Sequence, residues 1–185
     1  QDDKVGDMRS HIINTGHPGP IEIGCNEEFV EWLIDPELNG GGALTDVGCY
    51  GADLTTWLMK GETPISVSCI TQQIKPDLYP KVEDEATILL QYPKAQVIIQ
   101  ASWNWSHNMK EMDVYGKEGY IFCKNGQEME IKESLESKPF PKKANPLSAG
   151  LDDPFALLAK VVKEDYQMNT FDVSSLENNE IVMQI

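Results

Sequence analysis

Positive charge is scarce in this sequence. Only 15 of its 185 residues are Lys or Arg, against 30 Asp or Glu, and the net charge is −15. A nucleic-acid binder needs a clustered basic face, so the composition argues against that class. The acids are scattered, as on a soluble, self-repelling surface. Long hydrophobic runs are missing as well, and none approaches the roughly eighteen apolar residues of a membrane helix. The opening stretch QDDKVGDMRS has neither a basic n-region nor an apolar core, so no signal peptide is visible. Histidine occurs three times, at His11, His17 and His107, without an HExxH pattern or a local ligand set, which argues against a metal site. Cys25, Cys49, Cys69 and Cys123 form no CxxC pair and read as buried free thiols. The chain also lacks GxGxxG and a P-loop, so it carries no nucleotide-binding fingerprint of its own.

What is present is a globular composition, 41% hydrophobic in 185 residues. That length fits one domain able to bury a core without disulfides. A first strand is expected over 4–14, followed by a Gly/Pro-rich loop over 15–25. Asn26 is placed to cap a short amphipathic helix that stops at Asp35-Pro36. From Ala43 to Met59, apolar residues recur at spacings of three and four, predicting a second helix closed by Lys60-Gly61. The texture then changes to strands, at 65–74, 85–92, 95–105, 111–116, 119–124 and 128–133. Turns are expected at Pro93-Lys94, Lys117-Glu118 and Asn125-Gly126. Short connections predict an antiparallel meander. Residues 134–150 contain three prolines and read as a loop. Asp152, Asp153 and Pro154 open a helix to about Asp165, and a last helix begins near Ser174 and runs into the chain end. The order gives an α+β fold, an open, mainly antiparallel sheet with helices packed on one face. The chain begins on Gln and stops inside an apparent helix, so both ends read as cut.

Chemistry concentrates in GGGALTDVGCY, Gly40 to Tyr50. Asp46 and Tyr50 are four apart, which puts both on one helix face near a glycine-rich start. A tyrosine near a carboxylate and a cofactor serves as a general acid or base if its pKa is lowered, and the carboxylate can accept a substrate hydroxyl. The same pair also suits a purely structural helix start. His17 sits in TGHPGP, where a rim loop could meet a sugar or simply bond backbone. Trp103, Trp105 and His107 alternate along SWNWSHN and so point to one strand face, for sugar stacking or for a core or oligomer contact. Lys75 reads as a solvated loop lysine that could reach a sugar hydroxyl, and His11 reads as structural.

The stretch NGGGALTDVGCYGADLTTWLM resembles the signature of the Gfo/Idh/MocA oxidoreductases, in which a GGG-x-L-x-D-x-G-x-(H/Y) segment opens the first long helix of the C-terminal domain. TGHPGP, EFVEWLIDPELNGGG, VEDEATILLQYP, DVYGKEGYI and SLENNEIVMQI extend the resemblance over essentially the whole chain. It is similar to the glucose–fructose oxidoreductase-like branch. The resemblance implies that residues 1–185 are a single C-terminal substrate-binding and oligomerisation domain, and that a Rossmann domain supplies NAD or NADP and a catalytic lysine in cis. Asp46 then corresponds to the substrate-positioning aspartate. Tyr50 stands where many members have an acid/base histidine. The implied reaction is hydride transfer between a sugar, polyol or related hydroxyl compound and the nicotinamide. The chain alone is expected to bind no cofactor and to be inactive. A homo-oligomer through the sheet face, without nucleic-acid or membrane partners, is also implied. Two other functions stay open: an NAD-dependent glycosidase of the same family, and a non-catalytic dimerisation or regulatory domain. The cytoplasm is the expected compartment, with the periplasm open because the N-terminus reads as cut.

Overall fold

The computed structural model of the chain describes residues 4–147 and 153–185. Its framework is an eight-stranded sheet formed by β1 (Met8–Gly16), β2 (Ser66–Gln72), β3 (Glu85–Gln91), β4 (Gln96–Ser102), β5 (Met109–Gly116), β6 (Tyr120–Cys123), β7 (Glu128–Lys132) and β8 (Phe140–Lys143). The spatial order is β2-β3-β4-β1-β5-β6-β7-β8. Between β1 and β2 run α1 (Glu27–Leu33), α2 (Pro36–Asn39), a π-turn (Leu44–Gly48) and α3 (Cys49–Leu58). The chain finishes with α4 (Pro154–Val162) and α5 (Leu176–Val182). The architecture is α+β with a mainly antiparallel open sheet, as the element order implied.

The expected single meander is interrupted. The two hairpin runs, β2 to β4 and β5 to β8, flank β1, which pairs parallel with β4 and antiparallel with β5. Periodicity identifies strands but not their neighbours, so this insertion was not visible in the pattern. β1 earns its central place by burial: His11, Ile13 and Thr15 point to the helix side and are buried. α3 lies over them, with Thr55 Oγ1 at 3.5 Å from His11 Nδ1. Ala52 of α3 joins Ile88, Leu90, Val97 and Ile99 in one apolar cluster. A second cluster gathers Leu33, Val47, Tyr79, Ala101 and Trp103 beneath the π-turn. The other sheet face carries exposed Ile70 and Leu89.

Several boundaries differ from the sequence expectation for local reasons. β1 starts later than 4–14 and takes in Thr15 and Gly16. The chain does not leave helical structure at Pro36, since Asp35 accepts from the Glu37 N–H and starts α2 with Pro36 in its first turn. The expected helix over 43–59 divides into the π-turn and α3. The expected loop over 134–150 contains the edge strand β8, where Pro141 is tolerated because an edge has one free side. α4 stops at Val162, well short of Asp165, and α5, capped by Ser175, ends before the terminus. Asp152 lies outside the described residues, while Asp153 caps α4. Cys69 is exposed and the other three thiols are half-buried, not buried as expected.

Candidate active site

The insertion of β1 builds the site. β1 and β4 run parallel and end together, with Gly16 opposite Ser102. To reach β5 the chain must cross the end of β1, and residues 103–108 make that crossing. A side chain at Gly16 would meet the Ser102 carbonyl at 2.5 Å and the Trp105 ring at 2.7 Å, so the crossing requires glycine there. Across the gap, Gly42 N–H and Leu44 N–H donate to Glu83 Oε1 at 2.8 and 3.0 Å. This carboxylate fixes the start of the π-turn. A Cβ at Gly42 would collide with the Glu83 carbonyl oxygen, at 1.9 Å. A π-turn within a helix is frequent at functional sites.

Asp46 and Tyr50 both line a cleft of about 670 Å³, with His17, His107, Lys110 and Lys124 around it. Trp103 Nε1–H donates to Asp46 Oδ2 at 2.9 Å. A hydrogen bond to a carboxylate is worth about 1.5–3 kcal/mol. His17 Nε2 lies 3.6 Å from the same oxygen. Its Nδ1 accepts the Gly19 N–H at 3.0 Å, and its own backbone N–H donates to Ser102 O at 3.0 Å.

Tyr50 is held less firmly. It is 48% exposed. Lys110 Nζ lies 4.8 Å from the centre of its ring, a cation–π contact. Partial burial pushes the Tyr50 phenol above its ordinary value near 10, and nearby Cys49 and Asp46 push it the same way. Within this chain the phenol is therefore less acidic than a free one. An adjoining hollow of about 460 Å³ continues past Tyr50 toward Asp53, Met112, Cys123 and Val173.

The remaining candidates separate. His17 and His107 reach the cleft. Trp103 does not: it is fully buried and packed at a tilt of 52° against Tyr79, with ring centres 4.9 Å apart. Trp105 is half-buried against Gly16 and lies outside the cleft lining. The alternation read along 103–107 fails because β4 ends at Ser102. There the Ser102 hydroxyl accepts the Asn104 N–H at 2.9 Å, turning the chain away from the ladder. Trp103 therefore meets Asp46 through its indole N–H and has no exposed surface of its own. Lys75 is half-buried and tied down, not a free loop lysine. Its ammonium donates to Pro18 O and Trp103 O, both at 2.6 Å, and to the Glu22 carboxylate. Burial pushes the Glu22 carboxyl up, but hydrogen bonds from Lys75 and Tyr79 outweigh it and leave the group below its ordinary value. His11 is fully buried, and burial lowers its pKa to about 4.

Lys110, Glu111, Lys124 and Asn125 line the cleft although the sequence offered none of them as a site residue and Asn125 only as a turn residue. They lie where β5 starts and β6 ends, positions that become neighbours of Asp46 only through the strand order. Among the described residues no group of three or more His, Cys, Asp or Glu is placed to hold a metal ion. Among the same residues, no helix is long and apolar enough to cross a membrane.

A sequence model of the GFO/IDH/MocA C-terminal domain matches residues 1–122. Among solved structures, an aldose–aldose oxidoreductase from Caulobacter crescentus, complexed with glycerol, superposes with a TM-score of 0.71 at 20% identity; 99% of this chain and 53% of that one are covered. An inositol dehydrogenase homolog from Azotobacter vinelandii, complexed with NAD+, gives 0.63 at 22% identity, covering 98% and 47%. An oxidoreductase from Agrobacterium radiobacter, in complex with NAD+, L-tartaric acid and magnesium, gives 0.67 at 17% identity, covering 98% and 54%. At these identities the likeness is one of fold. The chain spans about half the length of the structures it matches.

Proposed function

The chain belongs to the GFO/IDH/MocA family of oxidoreductases, and from that membership we propose that it supplies the substrate half of an active site. In this reading its parent oxidises a hydroxyl group of a sugar, polyol or related compound. A nicotinamide-binding domain elsewhere in the parent completes the site. The observation that carries the reading is the cleft itself, where Asp46, Tyr50 and His17 converge in a space of about 670 Å³, large enough for a hydroxylated ring.

The cleft also suits a nicotinamide edge, because Ile23, Val47 and the half-exposed Tyr50 ring provide apolar wall beside the polar groups. When bound, NAD or NADP supplies the two-electron acceptor. Asp46, oriented by Trp103, accepts a hydrogen bond from a substrate hydroxyl. Tyr50 takes or relays the hydroxyl proton once a positive charge from the completing domain lowers its pKa. Without the completing domain and its cofactor the chain is expected to be inactive by itself, and its Tyr50 phenol stays raised.

A panel of sugars and polyols with NAD or NADP, run on the parent protein, tests this. Tyr50→Phe is expected to lower kcat by about 10²–10⁴-fold. Wild-type turnover in that variant removes Tyr50 from the mechanism, and turnover by the 185-residue chain alone removes the need for a second half. The open sheet face, with Ile70 and Leu89 exposed, is assigned to a second copy of the chain. Sedimentation showing only monomer at high concentration would contradict that assignment.

A further inference from the structure

We propose that Lys75, Glu22 and Tyr79 form a clamp that fixes His17 in one tautomer, with its proton on Nε2, as a constant hydrogen-bond donor beside the Asp46 acceptor. The inference rests on the reading above, that this cleft takes a hydroxylated substrate.

The starting point is the Gly19 N–H. A backbone amide can only donate, and it donates to His17 Nδ1 at 3.0 Å. Nδ1 therefore holds the lone pair, and the neutral ring carries its proton on Nε2. That nitrogen is 3.6 Å from Asp46 Oδ2, too long for a good hydrogen bond between them. An oxygen atom placed beside both satisfies both. A substrate hydroxyl donates to Asp46 and accepts from His17, and a carbonyl oxygen in the same place accepts from His17 alone. His17 is then a positioning residue for the reacting oxygen. With its cleft-facing nitrogen already protonated, it does not take the hydroxyl proton.

Gly19 does not set its own position. It sits in a loop at φ 125°, a conformation that imposes no direction on the His17 ring. Lys75 sets it. Its ammonium has three donors and meets three acceptors: Pro18 O at 2.6 Å, Trp103 O at 2.6 Å and the Glu22 carboxylate. The Tyr79 hydroxyl donates to the other Glu22 oxygen and accepts the Ile21 N–H at 3.3 Å. Lys75 itself is anchored, since its N–H and that of Ile74 donate to the fully buried Asp84 carboxylate at 2.6 and 2.8 Å. One ammonium thus ties the loop that carries His17 to the turn that carries Trp103. Trp103 in turn holds Asp46, so donor and acceptor share a single frame.

Long-range ¹H–¹⁵N correlation spectra of the histidine-labelled chain, without substrate, test the clamp. Wild-type His17 is expected to show a lone-pair nitrogen at Nδ1 and a protonated one at Nε2. Lys75→Met is expected to raise the minor tautomer by up to about tenfold, the effect of losing one net hydrogen bond, and to move both nitrogens toward averaged shifts. Glu22→Gln and Tyr79→Phe each delete part of the clamp at nearly constant shape and are expected to give smaller shifts in the same direction. A thermal melt of each variant reports the fold. Folded Glu22→Gln and Tyr79→Phe variants with the wild-type pattern overturn the proposal, as does a folded Lys75→Met with that pattern. The readout needs no turnover. A locked His17 in a parent that oxidises no hydroxyl compound leaves the clamp standing and removes the functional reading. An active parent whose clamp variants keep the lock does the reverse.

Discussion

At one end of the cleft, Asp46 takes the Trp103 indole N–H, and His17 is bonded through both its ring and its backbone. At the other end, Tyr50 is 48% exposed, with the Lys110 ammonium over its ring. The first end is preorganised by this chain, with a buried indole and a lysine clamp setting its angles. The second is left loose, and its phenol is harder to ionise than a free one. Such a contrast belongs to a site shared between two bodies, in which the binding groups are rigid beforehand and the proton-transfer group is tuned on assembly.

The largest test of the difference is Trp103. Trp103→Ala empties a fully buried site and is expected to cost about 3–5 kcal/mol, read by denaturant unfolding. Trp103→Phe keeps a six-membered ring in place but deletes the N–H to Asp46 and part of the indole, so about 1–3 kcal/mol is expected. A Trp103→Phe variant as stable as the wild type would mean that packing alone, and not the Asp46 bond, stiffens this end. Next comes the floor beneath α3. His11 is buried and neutral, with its pKa lowered from 6.5 to about 4. The unfolded chain takes up that proton near pH 6.5 and the folded chain only near 4. Stability is therefore full above the upper value and falls as the pH drops through this window, by about 3 kcal/mol. His11→Leu should flatten this limb of the stability–pH curve, and an unchanged limb would assign it to the carboxylates. The smallest effect belongs to the loose end. Lys110→Met removes an exposed cation–π contact, and a melt should register less than about 1 kcal/mol. A larger loss would show that Tyr50 is held more firmly than its exposure indicates.

Local chemistry was legible in the sequence. The α+β order, the hairpin turns and the segment from Gly40 to Tyr50 could all be read there, because turn residues and short-range periodicity act over a few positions. Asn125 at its turn, for example, accepts from both Gln127 and Glu128 N–H at 2.9 Å. Long-range partners were not legible. Nothing in MRSHIINTG says that this strand will separate β4 from β5, yet that insertion is what places Lys110 and Lys124 by the cleft. The spacing of three and four between Leu44 and Leu58 fits an α-helix throughout, whereas the Glu83 carboxylate helps set a π-turn at its start. Trp103 followed an alternating pattern into a strand that had already ended. Lys75, in the loop stretch QQIKPD, gave no sign of three acceptors converging from two distant segments. α4 was readable as a helix, but Phe155, Leu158 and Val162 are exposed, and their surroundings were beyond what its sequence could define.

The account turns on the loose end being completed from outside the chain. Titration of Tyr50 by ¹³C-tyrosine NMR, assigned with Tyr50→Phe and compared between this chain and the cofactor-loaded parent, tests that most directly. The phenol is predicted to titrate above 10 in the chain alone and at lower pH in the parent, where a positive charge reaches it. The same elevated value in both would contradict the account.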